Sequence, residues 1–245
     1  MKKMSNGWAL PDDDQRVTFL VENDTDMFNP AYEEKYRNVI IEHLPNKRTF
    51  VDVGANVGLW SLPMTKYFQK IISYEPSKQN IECIKINIPK GIELREKAVA
   101  DFQGEAEFHQ AGKNCGDGKL VRDGKHVSYK VPVVKLDEEQ LSEVDFVKID
   151  TQGWELEVLR GMKNLILDQN PWVMFEINQD VDYCCKFMEQ FDYEVIFVKS
   201  KRNFIWAPRK GHNSPVDRNI LKRYLGPGPY VERFGGKKGF KRENP

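Results

Sequence analysis

The stretch Phe50-Val51-Asp52-Val53-Gly54-Ala55-Asn56-Val57-Gly58-Leu59-Trp60 constrains the fold more than any other part of the chain. An apolar run broken by one acid ends in two glycines that bracket Asn56, and an amphipathic segment follows. The pattern predicts a buried strand over 49–53, a tight turn, and a helix opening near Val57. Glycine admits left-handed backbone and lets a ligand approach closely. A helix start adds unpaired N–H groups and partial positive charge. Nucleotide-like ligands bind at such corners, although a plain strand–turn–helix corner carries the same letters.

Alternation continues from there. Residues 70–75 predict a second strand and 92–99 a third, with a helix over 57–69 and another from Pro76, broken by Pro89-Lys90-Gly91. Residues 144–150 predict a fourth strand, 152–168 a helix, 172–177 a fifth strand, 180–190 a helix, and 193–198 and 203–207 two more strands. Between them, 104–109 and 126–134 alternate like antiparallel strands around the glycine-rich loop Gly112-Lys113-Asn114-Cys115-Gly116-Asp117-Gly118, a flap where a regular fold places a crossover helix. The expected architecture is α/β: a Rossmann-like, mostly parallel seven-stranded sheet with helices on both faces and an antiparallel edge strand. Residues 1–48 form an entry segment with one helix near 30–44, residues 49–207 the main domain, and 208–245 a basic tail containing Gly and Pro.

Bulk properties narrow the class. The 245 residues are 40% hydrophobic and 30% charged, with no apolar run long enough to span a bilayer. No apolar signal core follows Met1, and Cys83, Cys115, Cys184 and Cys185 show neither metal-ligand spacing nor a disulfide framework. A cytoplasmic protein with free thiols and no membrane partner is expected. The zero net charge hides an asymmetry, because residues 199–245 hold 13 Lys/Arg against 3 Asp/Glu. Such a tail is either a solvated extension or a device for meeting anions, nucleic acid included.

Doubly wound sheets bind ligands at the carboxyl ends of their strands. Asp52, Glu75 and Asp150 fall there. Glu75 stands 17 residues beyond Gly58, about right for a carboxylate that holds ribose hydroxyls. The turn is Gly-Ala-Asn-Val-Gly rather than the Gly-x-Gly-x-x-Gly that cradles a pyrophosphate. With Asp52 before it, a cationic ligand end fits better, and S-adenosylmethionine carries an ammonium, a sulfonium and an adenosine.

At this point the chain resembles the FkbM family of S-adenosylmethionine-dependent methyltransferases. The matching segments are 50–58, Tyr74-Glu75-Pro76-Ser77, Val133-Val134-Lys135-Leu136-Asp137 and, most distinctively, Val144-Asp145-Phe146-Val147-Lys148-Ile149-Asp150-Thr151-Gln152-Gly153-Trp154-Glu155-Leu156-Glu157-Val158-Leu159-Arg160-Gly161. Family members often carry glutamate where Gln152 stands. The resemblance implies a cofactor turn at Asp52, Gly54, Asn56 and Gly58, a ribose acid at Glu75, an adenine contact at Asp101, and a catalytic acid at Asp150 beside the reactive methyl. It also implies O-methylation of a small-molecule or glycan acceptor.

An ordinary aspartate, pKa ~3.9, is a poor base for an alcohol. Asp150 therefore needs burial, a metal or a histidine partner, for which His109 and His126 flank the flap; Glu155 and Glu176 are candidate metal ligands, and the metal question stays open. Strand four ends in Asp-Thr-Gln-Gly, without the Pro-Pro-aromatic turn of amino-methylating DNA enzymes, and no Pro-Cys nucleophile is present. Two other readings compete. One is a nicotinamide-dependent oxidoreductase, against which the missing glycine fingerprint speaks. The other is a nucleic-acid-binding protein acting through its basic, aromatic tail.

Overall fold

A computed structural model of the chain describes residues 1–88, 90–110, 112–121, 128–176, 181–198 and 203–209. The expectations for residues 122–127, His126 among them, and for the tail from 210 onward lie outside the described residues. The chain opens with an antiparallel ribbon, β1 (Lys2–Lys3) and β2 (Ala9–Leu10), followed by α1 (Arg16–Val21) and α2 (Glu34–His43). Then come β3 (Thr49–Val53), α3 (Ser61–Met64), β4 (Lys70–Tyr74), α4 (Lys78–Asn87) and β5 (Glu93–Arg95). A second sheet is formed by β6 (Ala98–Val99), β7 (Gly104–His109), β8 (Lys119–Val121) and β9 (Tyr129–Val134), in the order β6-β9-β7-β8. The chain returns through β10 (Val144–Ile149), α5 (Glu155–Gly161), α6 (Lys163–Gln169), β11 (Trp172–Glu176), α7 (Val181–Glu189), β12 (Tyr193–Val198) and β13 (Asn203–Pro208).

The central sheet has seven strands in the order β12-β13-β11-β10-β3-β4-β5. Strands β5, β4, β3, β10 and β11 run parallel. The sheet is mixed, and its antiparallel member is not at the edge as expected. Strand β13 lies between β11 and β12 and is antiparallel to both, so that β12 takes the edge in the direction of the parallel strands. Burial explains the exchange. Every residue of β13 is buried, whereas β12 exposes Glu194, and a charged side chain is tolerated on an edge.

Both β3 and β10 are buried over their whole length, as central strands of a sheet covered on both faces must be. On one face Val51 and Val53 pack with Val158, Leu159 and Met162. On the other, Phe50 stacks on Phe146 with ring centroids 5.0 Å apart and meets Trp60 and Phe68. The entry segment joins the body: Trp8 and Leu10 are fully buried, and the Asn87 side chain pairs with both backbone groups of Ala9.

Three other expectations shift. The helix over 57–69 shrinks to Ser61–Met64 amid turns, because Gly58 is left-handed at φ +95° and Pro63 brings no N–H. The third strand divides at Glu96-Lys97, sending Glu93–Arg95 to the central sheet and Ala98–Val99 to the second. The helix over 152–168 breaks at Met162 into α5 and α6. No helix among the described residues is long and apolar enough to cross a membrane.

Candidate active site

A cleft opens at the carboxyl ends of β3, β4 and β10, bounded by Val53, Gly54, Asn56, Glu75, Asp150 and Thr151. Its floor is a close meeting of two turns. Gly54 has φ +77°, and a Cβ there would lie 1.9 Å from the Asp150 carbonyl oxygen. The Asp150 amide donates to the Val53 carbonyl at 3.0 Å. Only glycine lets these two backbones touch. Asn56 is also left-handed (φ +55°), a conformation asparagine tolerates better than most residues.

Glu75 ends β4 with its carboxylate buried. Oε2 accepts the Asn56 amide at 2.8 Å, while Oε1 accepts the Ser77 amide at 2.9 Å and the Asn80 side-chain amide at 3.4 Å. Loss of solvent raises its pKa to about 7, against the opposing pull of these hydrogen bonds. A carboxylate has about four lone-pair sites, so room remains for a further donor from the cleft.

The flap supplies one wall. Cys115, Gly116, Gly118, Lys119 and Leu120 line the cleft with Phe108 from β7 and Trp154 from the turn before α5. The Trp154 indole donates to the Leu120 carbonyl at 3.0 Å, which fixes its ring. With Pro76, Ala98 and Val99 these side chains give the cleft an apolar region suited to a flat heteroaromatic ring. The Cys115 thiol is buried and its pKa is pushed well above the usual range by loss of solvent, so it is a wall, not a nucleophile.

Asp52 takes a different place from Glu75. It is fully buried and does not line the cleft. Its Oδ2 accepts the Ser61 hydroxyl at 2.6 Å, and its Oδ1 lies 3.5 Å from the ammonium of Lys148. Lys148 stands opposite Asp52 in the β3–β10 register, 3.4 Å from the Gly54 carbonyl and 3.8 Å from Asp150 Oδ2. Burial would lower the lysine pKa, but Asp52, Asp150, Glu33 and Glu176 together outweigh it and raise the value. Lys148 is therefore a fixed positive charge and cannot serve as a base. Its signal was present in the sequence: Asp52 and Lys148, of opposite sign, each interrupt the apolar run of a central strand one residue before its end.

Asp150 lines the cleft, and its Oδ1 accepts the Gln152 side-chain amide at 2.8 Å. Gln152 is left-handed at φ +56° beside Gly153 at +100°. Two residues of the entry segment, Tyr32 and Glu33, stand close enough to feel the Asp150 charge. Glu33 is itself left-handed at φ +52°, and its carboxylate joins Trp60 and Asn203, each at 2.7 Å. Burial chiefly raises its pKa. Nothing in the Pro30-Ala31-Tyr32-Glu33 letters marks this role, since it follows from the crossing of distant segments.

The remaining candidates are apart. Gly58 packs against Ile88, where a Cβ would come within 2.7 Å of Cδ1. Asp101 is exposed and off the cleft. His109 pairs across from Lys119 in the second sheet and does not line the cleft. Glu155 turns back on its own loop, accepting from the amides of Thr151 and Gly153 and from the Thr151 hydroxyl. Among the described residues no three His, Cys, Asp or Glu side chains are placed to hold a metal ion.

Residues 52–195 match the Methyltransferase FkbM domain. The chain belongs to the FkbM methyltransferase family. Among relatives of the FkbM chain, methyltransferase sdnD of Sordaria araneosa is 25% identical over 184 residues, covering 56% of this chain and 69% of its own. A putative methyltransferase of Dictyostelium discoideum is 38% identical over 56 residues, covering 22% and 21%. Among solved structures, methyltransferase FkbM from Methylobacillus flagellatus superposes with a TM-score of 0.50 at 15% identity. The superposition covers 66% of this chain and 43% of that one, so the likeness concerns the fold. The FkbM match includes both faces of the cleft and leaves Asp14, Tyr32 and Glu33 outside it.

Proposed function

We propose that this FkbM-family chain transfers the methyl group of S-adenosylmethionine to a hydroxyl of a small molecule or glycan. Methyltransferases of this family use S-adenosylmethionine, and one observation carries the cofactor reading here: the buried Glu75 carboxylate opens into a cleft with an apolar region on one side and Asp150 on the other. The apolar region of Phe108, Leu120 and Trp154 takes the adenine, Glu75 takes the ribose hydroxyls, and the Gly54 turn takes the amino-acid end. Asp150 then faces the sulfonium and the incoming hydroxyl. Bound there, S-adenosylmethionine would supply a methyl group on a sulfonium leaving group, released as S-adenosylhomocysteine when the acceptor oxygen takes the methyl, and the hydroxyl proton would pass to Asp150 or to water. Alignment and exclusion of water supply most of the rate, since positioning alone is worth ~7–11 kcal/mol. Lys148 keeps Asp150 in place without taking part as a base. Asp52 acts beneath the cofactor through Lys148 rather than upon it.

The test has two stages. Calorimetry with S-adenosylmethionine, S-adenosylhomocysteine and NADH comes first; NADH binding without either adenosyl compound contradicts the reading. Transfer of radiolabelled methyl to panels of polyols and glycosides, amines, and RNA follows. Labelling confined to amines removes the hydroxyl assignment, labelling confined to RNA removes the small-molecule or glycan acceptor, and either leaves the cofactor assignment standing.

A further inference from the structure

We propose that Asp14 is a positioning residue for the cofactor cleft, acting through Cys115 on the two asparagines that hold Glu75. The inference rests on reading the cleft as the S-adenosylmethionine site. Asp14 lies outside the family-matched residues, is fully buried, and does not itself line the cleft. Its Oδ1 accepts the Cys115 amide at 3.0 Å, across 101 residues of chain. The next residue repeats the attachment, with the Gln15 amide donating to the Lys113 carbonyl at 2.9 Å. The flap is thus fastened to the entry segment at two neighbouring points.

Cys115 carries the connection inward. Its thiol donates to Asn56 Oδ1 at 3.3 Å, and its carbonyl accepts the Asn80 side-chain amide at 3.1 Å. The Asn56 backbone amide and the Asn80 side chain both donate to the Glu75 carboxylate. From Asp14 to Glu75 every step is a hydrogen bond. The fit is close: a Cβ on Gly116 would come within 3.2 Å of the Asn56 side chain. A plainer role, support of α1, accounts for Asp14 Oδ2, which accepts the Thr18 amide at 2.8 Å and the Thr18 hydroxyl at 3.2 Å. It leaves Oδ1 unexplained, and Oδ1 is the oxygen that reaches the flap. A carboxylate with one oxygen on the helix and the other on the cleft wall couples cofactor binding to the order of the entry segment.

Calorimetry with S-adenosylhomocysteine on the full chain tests this. Failure of the unaltered protein to bind removes the cofactor reading and the inference with it. Given binding, Asp14→Ala weakens affinity roughly tenfold, as expected when one member of a connected network is cut. Asp14→Asn, which keeps an oxygen for the Cys115 amide, recovers most of the loss. Thr18→Val, which touches only the helix side, stays within about twofold. Undiminished affinity in Asp14→Ala, an equal loss in Thr18→Val, or no recovery in Asp14→Asn overturns the proposal. Should Asp14→Ala not fold, amide exchange on the unaltered protein decides instead. Coupling is reciprocal, so S-adenosylhomocysteine must slow exchange at Thr18 as well as at Cys115; slowing confined to the flap overturns the proposal.

Discussion

The ammonium of Lys148 lies 3.5 Å from the Asp52 carboxylate, with their side chains 6% and 0% exposed, on adjacent central strands directly opposite in register. This buried ion pair, extended to Asp150 and to the Gly54 carbonyl, joins the Gly54 turn to the Asp150 carboxylate in the cleft. Removing one member of a buried pair strands the other. Lys148→Met should cost about 3–5 kcal/mol of stability, whereas the double change Lys148→Met with Asp52→Asn should recover much of it. Urea unfolding of both variants checks this; equal losses in the two would show that the pair is not energetically coupled.

The Glu75 carboxyl, pushed up to about 7 chiefly by burial, gives stability and binding opposite responses to pH. Below pH 4.5 the group is protonated in both folded and unfolded chains. Between about 4.5 and 7 the unfolded chain ionises first, so stability falls as pH rises and levels off above 7, by roughly 3 kcal/mol in all. Ribose hydroxyls donate to the ionised form, so cofactor affinity should rise roughly tenfold from pH 6 to 8. Glu75→Gln should flatten both profiles. Calorimetric titrations and denaturation curves across that range provide the check.

The contact of Gly54 with Asp150 predicts a sharp contrast between glycines. A Cβ at Gly54 meets a backbone oxygen that cannot step aside, on a backbone already at positive φ. Gly54→Ala should destabilise by at least the ~1–3 kcal/mol of an overpacked core and abolish cofactor binding. Gly112→Ala, with nothing within 4 Å of the new atom, should stay within about 0.5 kcal/mol. Paired thermal melts and binding isotherms distinguish the two positions.

Trp154, which lines the cleft, is predicted to matter more for cofactor binding than Asp101, which does not. Asp101→Ala, at an exposed position off the cleft, should leave S-adenosylhomocysteine affinity within about twofold, as surface changes away from special features do. Trp154→Ala removes a ring that lines the cleft and the donor to Leu120. Its loss should weaken binding about tenfold, the ~1.4 kcal/mol of a lost aromatic stacking partner, and should separately cost ~3–5 kcal/mol of stability, as deletion of a buried aromatic does. Affinity measurements on the two variants, with the order reversed, would reassign the adenine side of the cleft.

Much of this architecture was legible because the signals are local. The glycine turn, the acid after β4 and the Asp150 segment each carry their meaning within a dozen residues, and they meet because parallel strands end on the same side. The shortened helix after Gly58 was less visible, since Pro63 reads equally well as a helix start. The rest depends on contacts between distant segments. That the Glu33 carboxylate meets Trp60 and Asn203, that Asp14 meets Cys115, and that Asp52 turns toward Lys148 instead of the cleft follows from how the entry segment and the flap cross the sheet. Periodicity carries no record of such crossings. The position of β13 was similarly hidden: two apolar strands in succession predict a hairpin, and only their burial decides which of them lies inside.

The placement of β13 also governs how the chain can reach its native state. Strand β12 is synthesised first but touches the sheet only through β13, which pairs with both β11 and β12. Until residue 208 has left the ribosome, β11 has a bare flank, and Phe175 lacks the neighbours Phe204 and Trp206 that stack beside it. Between the synthesis of β11 and that of β13 the nascent protein carries a strand paired on one side only, a condition that favours association with other unfinished chains. Docking of β13 completes the sheet and closes over an aromatic surface that was open until then.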